Sequence, residues 1–536
     1  MTGETKVRNR RTVSDKRFAR RWLMFVGVFL PITALWALSN PLFAAPDETT
    51  HMVRAQGIAA GSFSSPFVTD GLPIGAADCL VFQYDTPASC QDLTWDEVGT
   101  SYPIPTTNSP SFFFVVAAAP AVVTSGLWGA YIMRLWLACL CVALLAWAGA
   151  LLTRPGNSPW LLVGLCLAVP PMSIFIMSSV NPSGLSAAAS VLLVAGLLAV
   201  RNGERRAPEV IAAIALGAVG LVIIRREGVI SLAVIAVAFA PLLVTHIPNW
   251  RHWFSTWRQI AAALAGVALL ALMTLAFAGP TLANFIRRRA DSGGTDPWEA
   301  ATYIRTYLIQ VIGNFGWLET PIGDEGFLVA MIVAGFVVIL GLLATDRRGA
   351  ASTALALSAL LVAPVMFGVI RFPYLQGRYL LPIWVCLMLV AATATSTTKF
   401  DRNFARRATS LVLIVWLGIH VLGFLQNVRR YTVGRNGSWG SIIGADWQPP
   451  MMTIPAALFL LVVCVGLAVI LFRKLLIELE PNELELEPIE PEPIEPEPIE
   501  PEPNEPESVE PDDVTEPTVR DLVWSAEPQG SDVHRS

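Results

Sequence analysis

Residues 111–133, 159–180, 259–279 and 451–472 contain no charged side chain, and each run is long enough to cross a bilayer as a helix. A hydrocarbon core about 30 Å thick takes roughly 20 apolar residues at the helical rise. Several such runs cannot share one water-soluble core. The composition agrees: of 536 residues 54% are hydrophobic and only 15% charged, against about 25% charged in average soluble domains. A soluble enzyme, a disulfide-rich secreted module and a nucleic-acid binder are thereby excluded. The net charge of −5 is an average of unlike parts, because residues 1–477 carry +13 and residues 478–536 carry −18.

The first 21 residues are polar and basic, which the positive-inside rule assigns to the cytoplasm. Trp22 to about Ser39 is then the first span, and later apolar segments centre near 141, 169, 191, 216, 237, 269, 336, 360, 389, 416 and 461. The expected fold is an all-α polytopic membrane protein of about 12 transmembrane helices. The segments around 111–133 and 208–245 also admit re-entrant or shorter forms. Basic clusters such as Arg201, Arg205 and Arg206, or Arg347 and Arg348, mark the inner ends and place both termini in the cytoplasm. Residues 22–472 form the membrane domain, with two long extracytoplasmic loops at about 45–110 and 280–326.

Residues 473–536 form an acidic tail in which Glu-Pro-Glu-Pro-Ile recurs, as at Glu490 to Ile494. Dense like charge and frequent Pro oppose a packed core, so this tail is expected to be disordered, polyproline-biased and cytoplasmic. Cys139, Cys141, Cys166, Cys386 and Cys464 fall in spans and read as small apolar residues. Cys79 and Cys90 share the first outer loop, where a disulfide is expected.

Phosphate-loop, dinucleotide-binding, zinc-protease and serine-hydrolase signatures are absent from the sequence. The densest polar cluster, Pro46-Asp47-Glu48-Thr49-Thr50-His51-Met52-Val53-Arg54, follows the first span directly. Pro46 suits a helix start, acids suit its first turn, and Asp47, Glu48 and His51 at i,i+4 and i,i+3 spacing can share one face. Carboxylates at a membrane surface suit a general base with a raised pKa, or hold a divalent cation (Mg, Mn or Ca) against a phosphate. An interfacial helix merely capped by its acids is the plainer alternative. A second cluster, Arg371 to Pro382, sets Gln376, Arg378 and Tyr379 at the outer end of a span; arginines there, against the charge rule, suit an anionic partner. Arg225 and Arg226, in a short turn between spans, are a further exception, with snorkelling to lipid headgroups as the alternative. Trp317 and Glu319 combine a face for sugar rings with an acceptor for hydroxyls, although interfacial Trp is common in membrane proteins. Asn181-Pro182-Ser183-Gly184 reads as a turn on the same side.

The chain resembles the predicted bacterial membrane proteins of domain-of-unknown-function family 2142, and looks closest to actinobacterial members. The resemblance rests on Pro46-Asp47-Glu48…His51…Arg54-Ala55, Asn181 to Leu185, Arg226-Glu227-Gly228, Gly316 to Pro321 and Gln376 to Pro382 in the same order, across about residues 22–472. That family is similar in layout to the C-type (GT-C) glycosyltransferases, multi-span enzymes that use polyprenyl-phosphate sugars and carry an acidic motif in the first outer loop. The resemblance implies that Asp47 or Glu48 activates an acceptor hydroxyl or ligates a divalent cation. It further implies that Arg378 and Arg226 hold the donor phosphate, with His51, Arg54, Arg225, Trp317, Glu319, Gln376 and Tyr379 completing the substrate site. The expected activity is inverting transfer of a sugar from a polyprenyl phosphate to an envelope glycan or lipid acceptor, at the bacterial cytoplasmic membrane. A transporter or flippase of an amphipathic envelope precursor, with Arg134 as its main ionisable group within a span, and a non-catalytic assembly scaffold are the alternatives.

Overall fold

The computed structural model describes residues 2–69, 72–94, 100–103, 111–204, 207–225, 227–243, 301–369 and 376–479. Fifteen helices carry this part of the chain. Helix α1 (Thr2–Ser39) includes the basic N-terminal segment, and α2 (Glu48–Ala59) follows after a short loop. A two-stranded antiparallel ribbon, β1 (Phe67–Thr69) with β2 (Thr100–Tyr102), brackets the segment between them in the long loop after α2. Then come α3 (Ser111–Ala118), α4 (Gly126–Leu152), α5 (Pro159–Ala168), α6 (Pro171–Met177), α7 (Pro182–Arg201), α8 (Pro208–Ile224) and α9 (Gly228–Leu243). Beyond residue 300 lie α10 (Ile304–Gly313), the hairpin β3 (Asn314–Phe315) and β4 (Thr320–Pro321), α11 (Asp324–Leu342) and α12 (Arg347–Val369). The 3-10 turn Gly377–Leu380, α13 (Leu381–Ser396), α14 (Arg402–Val433) and α15 (Ile454–Leu479) complete it.

Among the described residues, eight helices are long and apolar enough to cross a membrane, and α5 with α6, bent by 61° at Val169 and Pro170, make a ninth if taken as one span. The expected count of 12 is not reached on these criteria. Helices α8 and α9 are apolar but shorter, and the segment near 269 lies outside the described residues. The uncharged run 111–133 is not a single span either: α3 ends at Ala118, and α4 starts only at Gly126, whose φ of +68° is outside the helical region. The acidic tail was expected from residue 473, yet α15 continues to Leu479, because residues 475–477 are still apolar. Residues 480–536, with the Glu-Pro repeat, lie outside the described residues.

The bend between α5 and α6 follows from Pro170 and Pro171, which lack the N–H groups that would continue the helix ladder. Freed carbonyls in an apolar surrounding must find other donors. Trp384 Nε1 donates to Leu167 O at 2.8 Å, Trp416 Nε1 donates to Val169 O at 3.1 Å, and His420 Nε2 lies 3.1 Å from the same oxygen. Near the other end of α6 an aromatic cluster fills the core: Trp36, itself fully buried, packs against Phe175, Phe315 and Phe424 with ring centroids 5.8, 5.1 and 5.4 Å away.

Helix α1 packs on α4 and α15, α7 on α4 and α8, and α13 on α5, α11 and α12. Charged pairs gather at one end of these helices. Arg154 meets Glu204 and Glu209, Arg201 meets Asp346, and Arg20 and Arg21 meet Glu478. The last two contacts bring the basic part of α1 to the final turn of α15.

Candidate functional site

The loop between α1 and α2 is buried, and a buried loop must satisfy its backbone polar groups without water. Every carbonyl from Asn40 to Pro46 does so. Asn40 O accepts from Tyr131 Oη (2.9 Å) and Arg134 Nη1 (3.1 Å), and Pro41 O from Arg134 Nη2 (2.7 Å). Leu42 O accepts from Gln91 Nε2 (2.9 Å), Phe43 O from Trp317 Nε1 (3.0 Å) and Ala44 O from Tyr431 Oη (3.1 Å). Ala45 O takes the Glu48 N–H (3.2 Å). Pro46 O accepts from both Asn181 Nδ2 (3.0 Å) and Arg378 Nη1 (2.9 Å). Seven residues thus draw α4, α7, α14, the first outer loop, the 314–321 hairpin and the 377–380 turn to one point.

The two acids that follow part company. Glu48 is fully buried: Arg134 donates from Nε to Oε1 (2.8 Å) and from Nη2 to Oε2 (2.6 Å), and Val180 N adds a third bond to Oε1 (3.1 Å). A carboxylate so enclosed has no face for an acceptor or a metal ion, so the expected role of Glu48 as base or ligand gives way to a structural ion pair. Arg134, expected on the transport reading to mark a path within the span, is the other half of that pair. Asp47 caps α2 with φ +62°, outside the helical region, and this turns its carboxylate away from the helix and toward Arg378. Asp47 and His51 remain near enough to feel each other's charge, whereas Glu48 turns to Arg134, so the two acids do not both face His51. Asp47 stays 45% exposed while Arg378 is 1% exposed. Burial, the largest influence, works to raise the Asp47 carboxyl; the Arg378 guanidinium, His51 and Arg225 together outweigh it and hold it below the usual carboxylate range.

Beside this pair is a small cleft lined by Ser183, Ser186, Ser231, Arg225, Glu227, Arg378 and Tyr379. Arg225 stacks over the Tyr379 ring (4.1 Å to the centroid) and donates to Ser183 Oγ. Arg378 also lies near that ring (5.2 Å), and its buried Nε has no hydrogen-bond partner among the described residues. Glu227 pairs with Arg225 at 3.4 Å, so of the two guanidinium groups beside the cleft's hydroxyls one already has a carboxylate partner within it. A phosphate would compete with Glu227 for Arg225. Gly377 permits the approach. Its N–H donates to Gln310 Oε1 (2.6 Å), and an added Cβ would lie 2.4 Å from Gln310 Cβ and 2.6 Å from Tyr307 O.

On the other flank, the hairpin pairs Asn314 with Pro321 and Phe315 with Thr320. Gly316 at φ +62° and Leu318 at φ +66° turn the chain, and the Glu319 carboxylate folds back over Gly316. Arg430, fully buried, lies 3.3 Å from Glu319 Oε1 and donates to Thr86 O (2.6 Å), Gln83 O (2.8 Å) and Leu80 O (3.4 Å). Burial pushes the Glu319 carboxyl up to about 7 even though Arg430 opposes this. Cys79 and Cys90 form a disulfide that closes the loop held by Arg430.

Of the remaining expected site residues, His51 is buried against Phe113 and Phe114, and burial pushes its imidazole down to about 3, so it is neutral at pH 7. Arg54 lies over the Phe114 ring at 4.3 Å. Gln376 accepts the Tyr379 N–H on its backbone oxygen. Trp317 touches Phe82 edge to face at 5.9 Å. Arg226 and residues 371–375 lie outside the described residues. The sequence reading missed Arg430 and Tyr431, which sit in the C-terminal turns of α14 within an otherwise unremarked helix. It also reduced Asn181 to a turn, although the residue both caps α7 and holds Pro46. Donors for a divalent cation do not converge: each of the two carboxylates faces an arginine, and among the described residues no group of three or more His, Cys, Asp or Glu could hold a metal ion.

Non-glycine residues avoid positive φ unless the surroundings impose it. Among the described residues four adopt it, Phe43, Asp47, Phe82 and Leu318, and all four belong to the segments just described.

The model of the family described as predicted membrane protein (DUF2142) matches residues 30–388. No curated protein matches the chain. Among solved structures, the crystal structure of ArnT from Cupriavidus metallidurans in the apo state is similar with TM-score 0.44 and 15% identity, covering 85% of this chain and 73% of that one. The crystal structure of the same protein bound to undecaprenyl phosphate is similar with TM-score 0.40 and 13% identity, covering 87% of this chain and 78% of that one.

Proposed function

The chain belongs to the DUF2142 family of predicted membrane proteins, and we propose that it is a membrane glycosyltransferase that moves a sugar from a polyprenyl-phosphate donor to an envelope glycan or lipid acceptor outside the cytoplasm. The observation that carries this reading is the position of Arg378 between the half-exposed Asp47 and the cleft it shares with Arg225. A base and a phosphate site are then adjacent.

The acceptor hydroxyl oxygen attacks the anomeric carbon, and its proton passes to the Asp47 carboxylate. The bond from the anomeric carbon to the phosphate oxygen breaks, its electron pair stays on the polyprenyl phosphate, and the configuration inverts. Arg225, Arg378 and the cleft hydroxyls hold the phosphate as its charge grows. A carboxylate held low by an arginine is a weak base. Donor phosphate competing for Arg378 removes the influence that opposes burial, so Asp47 becomes more basic as the donor binds. Donor before acceptor is the resulting order of addition.

Enclosure of Arg134 by Glu48 and three backbone carbonyls argues against a transport path through that residue. The proposed setting is the bacterial cytoplasmic membrane, with the α1 and α15 ends on the cytoplasmic side and the lipid tail of the donor in the bilayer. The test uses purified chain in nanodiscs, a radiolabelled polyprenyl-phosphate sugar and an envelope acceptor extract. Transfer by the wild type that is abolished in Asp47→Asn supports the reading; transfer undiminished in Asp47→Asn overturns it.

A further inference from the structure

Phe82 is 67% exposed and Tyr84 45% exposed, on a loop with polar neighbours: Asp85 accepts from Asn436 N (3.1 Å) and Nδ2 (3.0 Å), and both residues are exposed. Exposed aromatics are unremarkable on a loose loop, but this loop is held at many points. The Cys79–Cys90 disulfide closes it, Arg430 binds three of its carbonyls from within, and Arg435 N donates to Tyr84 O (2.9 Å). Phe82 itself sits at φ +56°, a conformation unfavourable for an aromatic residue, and its ring gains no burial in return. What the conformation does achieve is contact with Trp317, whose indole N–H is bonded to Phe43 O four residues before Asp47.

We infer that the disulfide-closed loop 79–90 is a docking platform for the sugar rings of a glycan acceptor, with Phe82 and Tyr84 as stacking faces beside Trp317. The C–H faces of pyranose rings pack on aromatic surfaces, and ring hydroxyls pair with nearby amides and carboxylates. Gln83 and Asp85 supply such groups on the same loop, interleaved with the aromatics. A platform already fixed in its binding geometry loses little freedom when it binds, which is the advantage of holding two exposed rings rigid. The inference deepens the proposed transferase reading by making the acceptor a glycan chain rather than a lipid alone.

The test is binding without any donor, so that transfer is not required. Full-length protein in nanodiscs is titrated with cellohexaose, mannohexaose and chitohexaose, followed by saturation-transfer NMR and calorimetry. At least one hexasaccharide is expected to bind, with affinity reduced tenfold or more in Phe82→Ala and retained in Phe82→Trp; an unchanged circular dichroism spectrum and an intact disulfide establish that each variant is folded. Absence of binding by all three sugars, or equal binding by Phe82→Ala and wild type, overturns the platform. Phe82-dependent binding in a chain that transfers no sugar would overturn the transferase reading and leave the platform standing.

Discussion

Asp47 and Arg378, 331 positions apart in sequence, form an ion pair whose two ends have unlike surroundings: the guanidinium is almost wholly enclosed, and 45% of the carboxylate is accessible. The adjacent residue, Glu48, makes a pair that is enclosed on both sides. One acid is available to a reactant and its neighbour is not.

Asp47→Asn keeps the size of the side chain and removes its ability to take a proton. Transfer per folded molecule is expected to fall by about 100-fold or more, the usual contribution of a positioned general base, with a lowered midpoint of thermal unfolding because the enclosed Arg378 loses its counter-charge. Single-turnover assays with labelled donor provide the rate.

Glu48→Gln acts mainly on folding. It leaves Arg134 buried without its counter-charge, a change that costs roughly 3–5 kcal/mol in comparable pairs. The expected result is a lower unfolding midpoint in detergent, and a transfer rate per folded molecule that falls far less than in Asp47→Asn.

Replacing Arg378 by Met removes the group that holds the Asp47 carboxyl down, and burial then raises it. The acidic limb of the pH profile for residual transfer is expected to move to higher pH. In the wild type the sign runs the other way. The depressed carboxyl contributes stability that is present above its ordinary value of 3.8 and lost as pH falls through its lower folded value.

Glu319 has the opposite linkage. Its folded value of about 7 exceeds the ordinary 4.5, so the folded state holds a proton that the unfolded state has released. Stability from this residue is complete below pH 4.5 and declines as pH rises through about 7. Thermal unfolding of the wild type should show that decline, and Glu319→Gln should lose it.

Gly377→Ala tests the close approach of the turn that carries Arg378. With a Cβ only 2.4 Å from Gln310 Cβ, the turn must shift. A raised KM for the donor is expected, together with a stability lowered by about 1–3 kcal/mol, the usual cost of overpacking.

Most of the architecture was legible in the pattern of apolar runs, because a bilayer imposes a length and each run meets it or falls short in a visible way. The turn at Arg225 and the acidic cluster after α1 were legible for the same reason, as charges placed where apolar residues prevail. The division of labour between Asp47 and Glu48 was not. It depends on which arginine each acid meets, and Arg134 and Arg378 lie in distant parts of the chain. The bend at Pro170 looked like part of an ordinary span, since its stability rests on Trp384, Trp416 and His420 reaching across from other helices. Arg430 gave no local signal at all; its importance lies entirely in the loop it reaches, 344 residues earlier.

The carbonyls of residues 40–46 also set a timetable for assembly. This segment is synthesised immediately after α1, whereas its donors follow at 91, 131, 134, 181, 317, 378 and finally 431. Until α14 is in place Ala44 O has no Tyr431 to bond, so this loop closes last although it is made early. A nascent chain stopped before residue 431 would hold every described helix up to α13 and most of α14 and still leave the loop's bonding incomplete.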